Sequence, residues 1–114
     1  MDRELYNCAA GCPVQNTVDL ISGKWKSVIL YHLFKGDATR FSTLTKAIPS
    51  VTQRMLALQL AQLEGDGIIY KKVGDEDGRA TEYGLTKLGQ TLAPVIDAMA
   101  AWGKFYQTQQ AALA

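Results

Sequence analysis

The sequence is poor in the residues that catalysis and metal binding draw on most. Among its 114 residues there is one histidine, His32, and there are two cysteines, Cys8 and Cys12. Two cysteines exclude a disulfide-stapled scaffold, and with a single histidine they fall short of a tetrahedral structural zinc site within one chain. A lone histidine also leaves little to build a catalytic dyad from. Long apolar runs are missing, so no segment is expected to span a bilayer. The charged start Met1-Asp2-Arg3-Glu4-Leu5 carries no secretory pattern. These absences predict a cytoplasmic protein that is not an enzyme and needs no metal or cofactor. The length suits one domain over 1–114, with one modest core.

Net charge is low as well, at +1, but its placement is uneven. Residues 24–54 hold Lys24, Lys26, Lys35, Arg40, Lys46 and Arg54 against Asp37 alone, a balance of +5. Residues 64–82 hold six acids against Lys71, Lys72 and Arg79, a balance of −3. A local basic excess is the footprint of a polyanionic partner. Lys24 and Lys35 read as ordinary solvated surface charges.

Hydrophobic spacing predicts helices joined by one hairpin. Pro13 suits a first helical position, opening a helix over 13–21 with Val14, Val18 and Ile21 on one face. A second helix is expected over 24–34. After a short extended Arg40-Phe41, Ser42 is expected to cap a short helix through Ala47, with Leu44 and Ile48 inward. Ser50-Val51-Thr52-Gln53 reads as a capping box with Thr52 as a competing cap, so the next helix spans about 50–64. Leu56, Leu60 and Leu63 form its inner stripe. Strands follow at 68–73 and 81–85, the second with alternating inward and outward residues. Asp77-Gly78 is the hairpin signal between them. Thr86 caps a last helical region over 87–110, which Pro94 should kink or divide. Trp102, Phe105 and Tyr106 are expected to pack on the first helix.

A short helix, a tight turn, a capped helix and a hairpin together make a winged helix-turn-helix. The fold class is therefore mainly α with a small β-hairpin (α+β), with dimerisation helices at 13–21 and 87–110. The capped helix would enter a major groove and the hairpin over 68–85 would form the wing. Gln53 suits adenine, and Arg54 suits guanine or phosphate. Ser50, Thr52 and Ala57 lie at the start and on the exposed side of that helix. Arg40, Lys46, Lys71, Lys72 and Arg79 are placed to hold the backbone. Leu58 reads either as a contact to a thymine methyl or as partly buried, and burial is the expectation. Val14, Val18, Leu92, Val95, Met99, Trp102 and Tyr106 carry more apolar surface than this core absorbs. A second copy of the chain would cover it and set two recognition helices about 34 Å apart on an inverted-repeat operator. A small-molecule pocket lined by Trp25, Tyr31, Trp102 and Phe105 competes with the plainer reading of these aromatics as core.

Cys12 precedes Pro13 at a helix N-cap, where a thiolate meets the positive end of the helix dipole. It is a candidate for sensing oxidants or electrophiles, with Cys8 as a resolving partner. Two small buried thiols at an interface are the alternative. Other functions compete with DNA binding. One is a winged-helix module that binds protein, which the acidic stretch 75–77 favours. The other is a thiol oxidoreductase, which the spacing of Cys8 and Cys12 does not suit.

Several motifs taken together carry a resemblance. Cys12-Pro13-Val14, Ile21-Ser22-Gly23-Lys24-Trp25-Lys26, Arg40-Phe41, Leu60-Ala61-Gln62-Leu63-Glu64-Gly65-Asp66-Gly67 and Glu82-Tyr83-Gly84-Leu85-Thr86 resemble the HxlR family of MarR-like bacterial winged-helix regulators. The resemblance covers about 8–106. It implies a homodimeric transcription factor that binds double-stranded DNA, and in some members an oxidant-sensing cysteine at the position of Cys12. The wing departs from the family pattern. Asp75-Glu76-Asp77-Gly78-Arg79-Ala80 stands where prolines and a basic residue are usual, leaving Arg79 as the wing's DNA contact.

Overall fold

The computed structural model describes residues 11–36, 39–74 and 81–113. The elements run α1 (Pro13–Ile21), α2 (Lys26–Phe34), β1 (Thr39–Arg40), α3 (Phe41–Ala47), α4 (Gln53–Gly65), β2 (Ile69–Lys72), β3 (Glu82–Leu85), α5 (Lys87–Gln90) and α6 (Ala93–Leu113). The strands form one antiparallel sheet in the order β1-β3-β2. Cys8, Arg79 and the Asp77-Gly78 turn lie outside the described residues.

α2 is the hub. Its Ile29, Leu30 and Leu33 are buried, and the helix packs against α3, α4, β3 and α6. Leu44 of α3, the Leu56-Leu60-Leu63 stripe of α4, Ile68, Ile69 and Tyr83 complete the core. Burying each such Leu or Ile is worth about 1.5–3 kcal/mol. α1 keeps the bounds expected from Pro13, and its end is latched to α2 where Ser27 Oγ donates to the Ile21 carbonyl at 2.9 Å. Only Ile21 of its apolar residues is buried. Val14 is 67% exposed and Val18 is exposed too, so the expected single inward face is split.

Several boundaries move. α2 begins at Lys26 rather than Lys24, with Trp25 as its N-cap. α3 begins at Phe41, so Ser42 lies inside the first turn and does not cap it. α4 begins at Gln53, and Thr52 is the cap: the Met55 amide donates to Thr52 Oγ1 at 3.1 Å. Val51 decides between the two caps. Its side chain is buried and its amide donates to the Ile48 carbonyl, which leaves Ser50 exposed in the turn before the helix.

α4 stops in a Schellman arrangement, with Gly67 N–H on the Glu64 carbonyl and Ile68 N–H on the Leu63 carbonyl, both at 3.0 Å. Gly67 has φ +76°, which a glycine adopts without strain. Thr86 then ties the sheet to α5. Its hydroxyl donates to the carbonyls of Gly67 (2.6 Å) and Ile68 (3.1 Å) and accepts from the Gly89 amide (3.0 Å). The expected long last helix is divided: α5 ends at Gln90, and Pro94 stands in the first turn of α6, where it does least damage.

β3 does not alternate. Tyr83 and Gly84 are both buried, because the Tyr70 ring lies over Gly84 and occupies the space a side chain there would need. The partner strand β1 was not foreseen as part of the sheet. None of the described helices is long and apolar enough to cross a membrane.

Candidate nucleic-acid interface

The turn between α3 and α4 leaves one side of α4 facing outward. Helical geometry places Leu56, Leu60 and Leu63 against the core, so Arg54, Ala57, Leu58 and Ala61 point away from it. All four are exposed, as is Gln53 in the first turn. Leu58 is 49% exposed, which corrects the expectation that it is buried: its position is set by the core stripe, half a turn away, and not by its own hydrophobicity.

Cations surround this face on neighbouring elements. Lys46 is exposed on α3, Arg40 is exposed at the end of β1, and Lys71 and Lys72 are exposed on β2. The sheet register adds an order that the sequence did not reveal. Arg40 and Lys72 both pair with Glu82 across β3, so the three form a row, with about 10 Å between the outer strands. Glu82 therefore sits between the two cations as their nearest counter-charge on the sheet. Lys71 alternates to the other face of β2, in register with Tyr83. The two lysines do not point the same way.

Lys24 and Lys35 are engaged elsewhere. The Lys24 ammonium lies 4.8 Å over the Trp25 ring, and that of Lys35 lies 4.3 Å over the Tyr31 ring. Burial, and then the charge of Lys35, push the His32 imidazole below the usual histidine range. Burial, and then Glu64, push the Tyr83 phenol up. Among the described residues no group of three His, Cys, Asp or Glu side chains could hold a metal.

The other exposed surface is apolar. Trp102 is 63% exposed and Phe105 57%, and Val14, Val18, Met99 and Tyr106 are exposed with them. These aromatics do not pack on α1 as expected, because α6 rests mainly on α2 through Ile96, its one buried residue. Trp102 instead stacks on Tyr106, with centroids 5.5 Å apart. Leu92 and Val95 are half-buried against the core. The four aromatics expected to share a pocket or a core do neither together. Trp25 and Tyr31 are half-buried, and Tyr31 alone of the four lines the open groove of about 370 Å³ between α2 and α6. Cys12 occupies the N-cap of α1, half-buried.

The chain matches the model of the HxlR-like helix-turn-helix family over residues 20–111. YdeP of Bacillus subtilis (strain 168), an uncharacterized HTH-type transcriptional regulator, is 50% identical over 97 residues, covering 85% of this chain and 75% of the relative. YybR of the same organism, described likewise, is 43% identical over 102 residues, covering 90% and 81%. Among solved structures, the redox regulator HypR in its reduced form superposes with a TM-score of 0.80 at 41% identity, over 88% of this chain and 98% of that one. Its oxidized form gives 0.76 at 45%, over 82% and 95%. The motifs that suggested a winged helix-turn-helix and the arrangement of α3, α4 and the sheet thus lead to one assignment: the chain belongs to the HxlR-like helix-turn-helix family of DNA-binding transcriptional regulators, not to an enzyme family.

Proposed function

We propose that this chain acts in the cytoplasm as a homodimer on an inverted-repeat operator, with α4 of each protomer in a major groove. The observation that carries the reading is the outward face of α4, headed by Gln53 and Arg54 and ringed by exposed Arg40, Lys46, Lys71 and Lys72. In this reading Gln53, Arg54 and Ala57 meet base edges. Arg40, Lys46, Ser50 and Thr52 hold the backbone beside them. Of the wing residues, Lys72 shares the sheet row with Arg40 and is the better placed backbone contact. Lys71, on the other face of β2, serves the flank, and Arg79 remains a backbone contact on the sequence reading alone. Val14 and Val18 of α1 meet Leu92, just before α6, and Val95, Met99, Trp102 and Tyr106 of α6 across the two-fold axis.

A second layer concerns Cys12. Its place at the N-cap of α1, beside the exposed Val14, and the 41% identity to a redox regulator favour it as the site where an oxidant or electrophile acts on this dimer, with Cys8 as the resolving thiol.

Selection of bound sites from a random double-stranded library tests both layers, using reduced and peroxide-treated protein. Enrichment of an inverted repeat by the reduced protein is expected. Oxidation should change that enrichment, and Cys12→Ser should abolish the change while leaving DNA binding intact. A folded protein that enriches nothing in either state points to the protein-binding module.

A further inference from the structure

The outward face of α4 has an unusual composition for one that meets only water. Arg54, Ala57, Leu58 and Ala61 recur at steps of three, four and seven, the spacing of a stripe that makes contact. The stripe faces away from the core, and three of its four members are apolar. Leu58 stands at its centre, one turn beyond Arg54 and 49% exposed. We propose that Leu58 is a specificity-determining residue that reads the 5-methyl group of a thymine in the major groove. The proposal rests on the reading of α4 as the recognition helix.

The occupant follows from what surrounds the stripe. A protein partner would bring its own apolar face up against Arg54, Lys46, Arg40 and Lys72, and those charges would have to be desolvated. DNA presents phosphates to those same cations. Inside the groove, thymine alone of the four bases offers an apolar contact, its 5-methyl group. Ala57 and Ala61 keep the helix thin on either side of Leu58, so its branched side chain is the apolar group of the stripe that reaches furthest toward the base edges. Arg54 and Leu58 lie about 6 Å apart along the helix axis, close to two base-pair steps of about 3.4 Å. A helix lying along the groove therefore places the methyl-bearing thymine about two base pairs from the one Arg54 touches.

The experiment begins with sites selected by the wild-type full-length protein from a random double-stranded library. The enriched site is resynthesised with deoxyuracil at each thymine in turn, which removes one methyl group and nothing else. Affinity is measured by fluorescence anisotropy for wild type and for Leu58→Ala. Because Leu58 is exposed, circular dichroism should show an unchanged melting temperature for the variant. Deoxyuracil at one position of each half-site should weaken wild-type binding about four-fold per half-site, the equivalent of one buried methylene-sized group. Leu58→Ala should bind the thymine and deoxyuracil sites equally. Wild-type binding indifferent to deoxyuracil at every position overturns the inference, and so does a Leu58→Ala variant that still discriminates. If wild type enriches no site at all, the reading of α4 fails and this inference with it. Enrichment without thymine discrimination defeats the inference alone.

Discussion

Replacing Lys46 with alanine measures both the footprint and the stoichiometry of DNA binding. Five exposed cations, Arg40, Lys46, Arg54, Lys71 and Lys72, belong to the proposed surface of each protomer. With Arg54 on a base edge and the other eight in a dimer neutralising phosphates, log affinity would fall with log salt at a slope of about −7, from about 0.9 per phosphate contact. Lys46 lies on the exposed side of α3, and alanine is a good helix former, so the substitution spares the fold. Two copies lost per dimer should flatten the slope by about 1.8. Between 50 and 200 mM salt, the wild-type advantage should then shrink about 12-fold. The assay is a salt titration of anisotropy on one selected operator. Lys24→Ala is the control, since its ammonium lies over the Trp25 ring, and it should leave the slope unchanged. A Lys46→Ala slope equal to wild type would refute the phosphate contact. A change of only about 0.9 would mean that a single protomer engages, and would refute the two-fold arrangement.

Three further substitutions test the frame around the interface. Gly89→Ala puts a Cβ onto the Ile68 carbonyl oxygen, where backbone must shift. A cost of about 1–3 kcal/mol is expected, or roughly 4 °C of melting temperature for each kcal/mol; unchanged melting would contradict the packing of α5 on the strand entry. Trp102→Glu should convert a dimer to a folded monomer by light scattering with helicity kept, since Trp102 adds little to the core of the lone chain; a persistent dimer would move the interface elsewhere. Folding lowers the pKa of His32, so between its unfolded value near 6.5 and the lower folded value the unfolded chain binds more protons. Its contribution is complete above about pH 7 and declines as pH falls through that window. His32→Gln should therefore lose less melting temperature than wild type between pH 7.5 and 5, and equal losses would remove His32 from the account.

What the sequence made legible depended on local signals. Pro13 and the Ser22-Gly23 pair bound α1 because a proline at the first position and a positive-φ glycine (Gly23, φ +97°) act on the backbone directly. The Leu56-Leu60-Leu63 stripe was legible because the core enforces the helical period on it. The two-residue β1 was not, since only its pairing with β3, some forty residues away in sequence, makes it a strand. The Arg40-Glu82-Lys72 row was hidden for the same reason: register is a non-local fact. Leu58 was misplaced by the assumption that a large apolar side chain belongs in its own chain's core, whereas for the α6 aromatics, read as meeting both α1 and a second copy, only the packing on α1 differs. Hydrophobicity says that a residue seeks cover, but not which molecule supplies it.

Charge around each exposed apolar face separates the two kinds of cover. Over the twenty-one residues of α6 the charged side chains are Asp97 and Lys104, which cancel. Its stripe of Val95, Met99, Trp102 and Tyr106 is therefore apolar and nearly neutral, the composition of a face that meets another protein. An identical face on a second copy satisfies it by two-fold symmetry, with no new charges to desolvate. The α4 stripe is also apolar at its centre, but Arg54 stands at its head and Arg40, Lys46 and Lys72 are exposed cations on the neighbouring elements. Two such faces brought together in a dimer would repel each other. On the proposed reading the same apolar spacing leads to different partners: the neutral stripe would take a copy of the chain, and the cationic one a polyanion that carries methyl groups. DNA meets that description. The burial divides in the same way: α6 buries Ile96 alone and leaves most of its apolar side chains outward, whereas α4 anchors three leucines in the core.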